Sequence, residues 1–409
     1  MSNYPIFSVL GIEIEYMLVN KDTLEVQPKS DLILKALAGH QVNEFVLGDI
    51  AASNELVMHV LELKNHGPKP AHHPVASQFQ KAILDLQPVL LEYDLQLLPT
   101  GAHPWMNPLR ETQRWPHGNE TIYQQYNTIF DCQGHGWANL QSMHVNLPFQ
   151  NDSEFSLLHN NVRLLLPLLP ALAASTPILD GVKTGLLDSR LAFYSNNQKR
   201  IPSISGDIIP EFICSEAQYQ QDILQPMYRD IAPFDPNGIL QHEWLNSRAA
   251  IPKFDHKALE IRILDTQECV NADMAIAHAI HAILKSLCAN HLALSNNTPC
   301  PTEKLKYIYE LTLKDGLDVQ IDDRDVLRQW QLPEKRSMTV RDAWSLLIER
   351  VSKELSPTTQ QALMHILEHG NLSQRILKAC NSDFSKQQLT HVYRQLGDCL
   401  LQNQQFKPL

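Results

Sequence analysis

The chain has 409 residues, 44% hydrophobic and 19% charged, with a formal net charge of −11. That length holds one large core or two ordinary ones, and the composition argues against wholesale disorder. The acidic balance, with no Lys/Arg run, argues against nucleic acid or an anionic membrane as main partner, although grouped arginines still bind a nucleotide.

Seven cysteines, an odd number with no Cys-x-x-Cys pair, speak against a disulfide framework or structural zinc and suit a reducing cytoplasm. The first ten residues lack the basic region and cleavage pattern of a signal peptide.

In chain order, Val9–Val19 and Leu56–Lys64 read as strands. His73–Tyr93 has helical periodicity through Phe79, Ile83, Leu86 and Leu90. Leu95–Pro99 is a further strand. Gly101–Asn119, rich in Gly, Pro, Trp and Arg without periodicity, reads as a long ordered loop. Ser142–Pro148 is a strand. Leu164–Ala174 is too short to span a bilayer and holds Pro167 and Pro170, so it is expected to be a kinked core helix. Ala258–Leu264 is the last predicted strand.

Beyond about residue 270 the pattern turns helical. A helix over Ala272–Leu294 ends at the break Ser295–Pro301, and further helices follow at Thr339–Val351 and Ser385–Gln402. Ser385 and Gln388 have capping-box spacing. The organisation is α+β, with a catalytic region over 1–270 and a helical region over 271–409 expected to pack on the same domain.

Four patches place ionisable side chains on one face of a probable strand. Strand alternation puts Glu13 and Glu15 together, opposite Ile12, Ile14 and Tyr16. Glu62 interrupts an apolar run, where a carboxylate needs a cation or hydrogen-bond donors. Glu55, seven residues earlier, has the opposite parity and joins Glu62 only from a loop or across a bulge. Ser142, His144 and Asn146 share a face, as do Glu260 and Arg262. Singly, each patch also reads as a solvated strand face, a structural histidine or a cross-strand ion pair. Together, Glu13, Glu15, Glu62, His144 and Glu260, with Glu55, offer mostly oxygen ligands and one imidazole. Such a set suits Mg²⁺ or Mn²⁺ rather than structural zinc.

The middle of the chain carries Arg190, Arg200, Arg248 and Arg262, whose guanidinium forks match phosphate or carboxylate oxygens. Arg190, Arg200 and Arg262 are the expected nucleotide contacts, and Arg190, Arg248 and Arg262 the expected catalytic charges. No glycine-rich phosphate loop exists, so a bound nucleotide must be held through metals and arginines.

The ordered set resembles the glutamine synthetase superfamily and, more closely, glutamate–cysteine ligase family 2, the bacterial carboxylate–amine ligases. Its members are Gly11-Ile12-Glu13-Ile14-Glu15, Gly101-Ala102-His103-Pro104-Trp105, Gln141-Ser142-Met143-His144-Val145, Ala171–Pro177 with Asp180-Gly181, Ser189-Arg190 to Arg200-Ile201-Pro202, and Leu259-Glu260-Ile261-Arg262. The resemblance implies a curved antiparallel sheet whose concave face holds ATP and magnesium or manganese. It implies Glu13, Glu15, Glu55, Glu62, His144 and Glu260 at the metal positions and Arg262 on the transferring phosphate.

It further implies a ligase that activates an acid, glutamate first, as an acyl phosphate and passes it to an amine such as cysteine. The expected partners are ATP, an amino acid and an amine, without nucleic acid or membrane; a homo-oligomer is compatible. A related hydrolase or deamidase and a non-catalytic nucleotide-binding regulator stand as alternatives. Ala102 and Trp105 replace the family's more usual Thr and Phe, and Glu62-Leu63-Lys64-Asn65 replaces Glu-hydrophobic-small-Thr. Both departures are expected beside the substrate.

Overall fold

A computed structural model describes residues 4–70, 75–291, 299–333 and 337–408. The strands are β1 (Val9–Asn20), β2 (Glu44–Leu47), β3 (Ile50–Asn54), β4 (Val60–Asn65), β5 (Lys69–Pro70), β6 (Leu95–Leu98), β7 (Ser142–Pro148), β8 (Ile178–Leu179), β9 (Val182–Lys183), β10 (Ala250–Lys253), β11 (Ala258–Asp265), β12 (Gln320–Ile321) and β13 (Met338–Thr339). Nine of them form one sheet in the order β10-β11-β7-β1-β4-β3-β2, with β5 and β6 also paired to β1. Every pairing in that sheet is antiparallel. The α+β architecture with a long antiparallel sheet is the expected one.

Alternation gives the sheet two chemically distinct faces. Ile12, Ile14, Tyr16, Leu61, Leu63, Met143, Val145, Leu147, Leu259, Ile261 and Ile263 are all buried in one apolar cluster. Helices Val75–Glu92, Asp152–Leu165 and Val270–His291 contact the sheet or one another on that side. The cluster continues through Trp344 and Leu363 to Leu400, whereas Leu372, Ile376, Leu389, Val392, Tyr393 and Leu396 of the last helices lie in a second cluster with Met17, Val19 and Leu98.

Val270–Asn290 has the length and composition of a membrane span, but 72% of its most apolar window is buried inside the protein, as in a core helix. The start of the predicted helix at His73, and residues 292–298 around the predicted break, lie outside the described residues.

Several local expectations hold in detail. Residues 164–174 are buried, and the helix changes to a 3₁₀ turn over Leu166–Leu168 at the prolines before resuming at Leu169–Ala173. Ser385 accepts a hydrogen bond from the Gln388 backbone N–H at 3.3 Å. The Gln388 amide turns instead to the Ala379 carbonyl, so only half of that capping box forms.

Two strand predictions need correction. β4 begins at Val60 rather than Leu56, because residues 56–59 turn between β3 and β4. The β2–β3 hairpin and β10 were not expected; these strands have only four or five residues each, too few to show alternation clearly.

Candidate active site

The polar face of the sheet gathers the acidic residues. Cross-strand register sets Glu13 opposite His144 on one side and Lys64 on the other, and Glu15 opposite Glu62. Glu260 lies opposite Asn146. The β3–β4 turn resolves the parity of Glu55, which follows β3 directly and lines the same cavity as Glu15.

β11 carries a register irregularity between Ile261 and Leu264, the interval that holds Arg262 and Ile263. The Arg262 Nε lies 3.3 Å from Glu260 Oε1, and its Nη1 donates to the Asn246 carbonyl at 3.4 Å.

Glu13, His144 and Glu260 each present a ligand atom, all within 4.8 Å of one another. Hydrogen bonds hold them in place. His144 Nδ1 meets Glu13 Oε2 at 3.1 Å, and its Nε2 meets Ser142 Oγ at 2.9 Å. Asn146 donates to the other Glu13 oxygen at 3.1 Å. Glu15 accepts from the Ser142 backbone N–H at 2.7 Å and its hydroxyl at 3.0 Å.

Burial works to raise the Glu13 pKa, but the His144 hydrogen bond and the Lys253 ammonium outweigh it, holding the carboxyl well below its usual range. Burial opposes the charge on His144, yet Glu13, Glu260 and Glu15 hold its pKa above the ordinary value. Burial, and then the charges of Glu62 and Glu15, push Glu55 well above the carboxylate range. Carboxylates outnumber the cations among them, Lys64, Lys253 and Arg262. A divalent cation fits this excess of negative charge and this mixed oxygen–imidazole donor set.

Two cavities meet at this group. The first, of about 380 Å³, is lined by Glu15, Glu55, Ser142, His144, Arg190 and Arg262 and walled by Tyr123, Tyr126, Trp137 and Trp244. Tyr126 touches Trp137 and Trp244 with ring centroids 5.4 and 6.0 Å apart. The second, of about 440 Å³, is lined by Glu13, Asn146, Lys64, Lys253, His256 and Lys257. Glu13 and His144 therefore stand at the partition between an aromatic, arginine-bearing space and a lysine-bearing one.

The four arginines separate into two groups. Arg190 reaches the first cavity from helix Ser189–Tyr194, whose N-cap is Asp188. Its Nε is paired with buried Asp265, while its buried Nη2 has no hydrogen-bond partner among the described residues. Asp265 also accepts from the Ser175 N–H at 2.8 Å and the Thr176 hydroxyl at 3.0 Å. A Cβ on Gly101 would lie 2.6 Å from the Asp265 carboxyl carbon, so glycine there is a packing requirement of the arginine's support. Arg262 lines the same cavity.

The structure does not bring Arg248 or Arg200 to it. Arg248 makes a two-pronged pair with Glu211, 2.7 Å at each prong, and donates to the Ser203 carbonyl at 3.2 Å. Arg200 lies over the Phe234 ring at 4.4 Å and donates to the Ile129 carbonyl at 3.0 Å. Trp105 is also away from the site: it packs on His103 and Tyr393 against the C-terminal helix Lys386–Gln402.

Lys253 and the aromatic wall escaped sequence reasoning, since Tyr123, Tyr126, Trp137 and Trp244 stand on segments without strand alternation. Lys64 was legible, because it shares the parity of Glu62.

The repulsion on Glu55 has a measurable consequence. Its folded-state pKa exceeds the ordinary 4.5, so its contribution to stability is full below that value and is lost as pH rises through the folded value. In chelator, Glu55→Gln is expected to melt higher than the native chain at pH 7, by a margin that widens from pH 5 upward. A margin independent of pH would show that Glu55 ionises without penalty.

The antiparallel sheet carries acids and a histidine on one face and helices on the other, as the resemblance to glutamine synthetase-like enzymes implies. The chain belongs to glutamate–cysteine ligase family 2, whose profile it matches over residues 9–395. It is 38% identical over 278 residues to an uncharacterised protein of Archaeoglobus fulgidus, spanning 68% of this chain and 74% of that one. A Bradyrhizobium sp. (strain ORS 278) protein provisionally named glutamate–cysteine ligase 2 is 26% identical over 68% of this chain and 62% of its own length. The crystal structure of a Francisella tularensis glutamate–cysteine ligase in complex with AMP superposes with a TM-score of 0.64 at 15% identity. That match covers all of this chain and 91% of the other, and it bears on the fold.

Proposed function

We propose that the chain is an ATP-dependent carboxylate–amine ligase, with glutamate the favoured acid and cysteine one amine to test. The observation that carries this reading is the Glu13–His144–Glu260 group, with ligand atoms within 4.8 Å, between an arginine-bearing aromatic cavity and a lysine-bearing one. Family membership supports the ligase class, and the AMP bound to the Francisella enzyme supports a nucleotide.

Carboxylate and amine do not condense unaided in water. In the proposed reaction a carboxylate oxygen of the acid bonds to the γ-phosphorus of ATP, and the bond to the β,γ-bridging oxygen breaks to release ADP. The amine nitrogen then bonds to the acyl carbon, phosphate leaves, and the nitrogen loses a proton. A magnesium or manganese ion held by Glu13, His144 and Glu260 would neutralise the phosphate charge.

The protein's own part is orientation and charge. Arg190 and Arg262 present guanidinium donors to the first cavity, where the acid and amine are placed. Arg190 is pre-oriented by Asp265 and keeps its Nη2 free for a ligand oxygen. Lys253 and Lys257 in the second cavity face the phosphate chain. Tyr126, Trp137 and Trp244 exclude water from the reacting carboxyl.

Hydroxylamine tests the activation step without knowledge of the amine. With ATP, magnesium and glutamate, the protein is expected to form a hydroxamate and release one ADP for each. Folded, ATP-bound protein that gives no hydroxamate across glutamate, aspartate and simple dicarboxylates would overturn the reading, and a hydrolase gives none. Cysteine and other natural amines in place of hydroxylamine then identify the second substrate.

A further inference from the structure

The carboxylates of the site form two groups. Glu13 and Glu260 converge with His144, whereas Glu15, Glu55 and Glu62 lie toward β3 and β4. The second group matches the first in number, but among the described residues only Glu13, His144 and Glu260 have ligand atoms within 4.8 Å of one another. One carboxylate of the second group is already engaged. The Lys64 ammonium lies 2.9 Å from Glu62 Oε2 and 3.1 Å from Glu44 Oε2. The Ser53 hydroxyl donates to the same Glu62 oxygen at 2.6 Å.

The sheet builds this arrangement. Alternation along β4 puts Lys64 on the face of Glu62, in register with Glu13 on β1 and Ala51 on β3. Glu44, on the edge strand β2, anchors the ammonium from outside the acidic group.

Lys253 makes the contrast. Among the described residues its ion pairs are to Glu260 and Glu13 alone, both in the cation-binding group, so nothing outside that group retains it when a cation arrives. Lys64 has such a tether.

We propose that Lys64 is a resident counter-ion that takes Glu62 out of metal ligation, so that the site binds one divalent ion fewer with Lys64 than without it. The proposal rests on the cation-binding reading given above and makes Glu62 a ligand to an ammonium. Glu15 and Glu55 then face the first cavity without a third acidic ligand, and the Glu13–His144–Glu260 group holds the ion that this site binds tightly.

Manganese alone, titrated into the full-length chain and followed by the paramagnetic resonance signal of the free ion, tests this without turnover. Lys64→Met keeps most of the stem and removes the charge; the position is half-buried, and melting curves check the fold. The variant is expected to bind one further manganese, or to tighten its weaker site by at least about tenfold. That is a modest fraction of the effect of deleting a unit charge a few ångström from a cation. Glu62→Gln alone is expected to leave manganese binding within about twofold of the native chain, and Glu62→Gln added to Lys64→Met to abolish the gain. Identical isotherms for Lys64→Met and the native chain would overturn the proposal, as would loss of a manganese from Glu62→Gln alone. Failure of every protein to bind manganese would instead overturn the cation-binding reading on which it rests.

Discussion

Glu260→Gln is expected to lower turnover by at least about two orders of magnitude while the protein stays folded. The size follows from removing a proposed ligand of the cation that would neutralise phosphate, since even the outer partners of metal ligands typically cost about 10–100-fold when removed. Glu260 is buried on β11 and meets both Lys253 and Arg262, so it ties the proposed cation-binding group to the guanidinium beside it. Glutamine keeps the volume and one acceptor oxygen but loses the charge. The fold should tolerate this, since Lys253 and Arg262 retain some solvent contact and Lys253 has Glu13 in reach. Hydroxamate formation, melting temperature and manganese affinity should be measured together. Turnover near the native rate would leave Glu260 as a partner of Lys253 and remove it from the catalytic group.

Arg262→Lys carries the second large effect, a fall of about a hundredfold or more in the same assay. Charge is kept, so a purely electrostatic role would survive. The lost feature is geometry. The guanidinium spans Glu260 with its Nε, the Asn246 carbonyl with its Nη1, and the first cavity, from the irregular stretch of β11. A lysine ammonium is a point charge that cannot span these three at once. The loss is expected mainly in kcat, with the melting temperature little changed. A lysine variant of nearly native rate would show that Arg262 serves only as the ion-pair partner of Glu260.

Both predictions concern residues legible in the sequence, and the reason is the period of a strand. Alternation in Gly11–Tyr16, Ser142–Leu147 and Ala258–Leu264 separates apolar from ionisable side chains without reference to any other part of the chain. It therefore determined which residues face the site and which face the core, and the structure buries the apolar set in one cluster. The kink at Pro167 and the cap at Ser385 were legible in the same local way, since proline geometry and capping act within a single turn.

What tertiary structure alone decided is which faces meet. Register between strands distant in sequence sets Glu13 beside His144 and Glu15 beside Glu62, and no local pattern contains that information. Glu55 joins the acids because the chain turns at 56–59 instead of extending as a strand. The arginines show the same limit. Each is a phosphate-binding candidate by chemistry, yet Glu211 engages Arg248 and Phe234 lies under Arg200, whereas Arg190 and Arg262 reach the cavity. Asp265, Glu211 and Phe234 are remote in sequence from Arg190, Arg248 and Arg200, the arginines they hold, whereas Arg262 meets its near neighbour Glu260. A guanidinium is oriented by the partners packed around it, and those partners are assembled only when the chain folds.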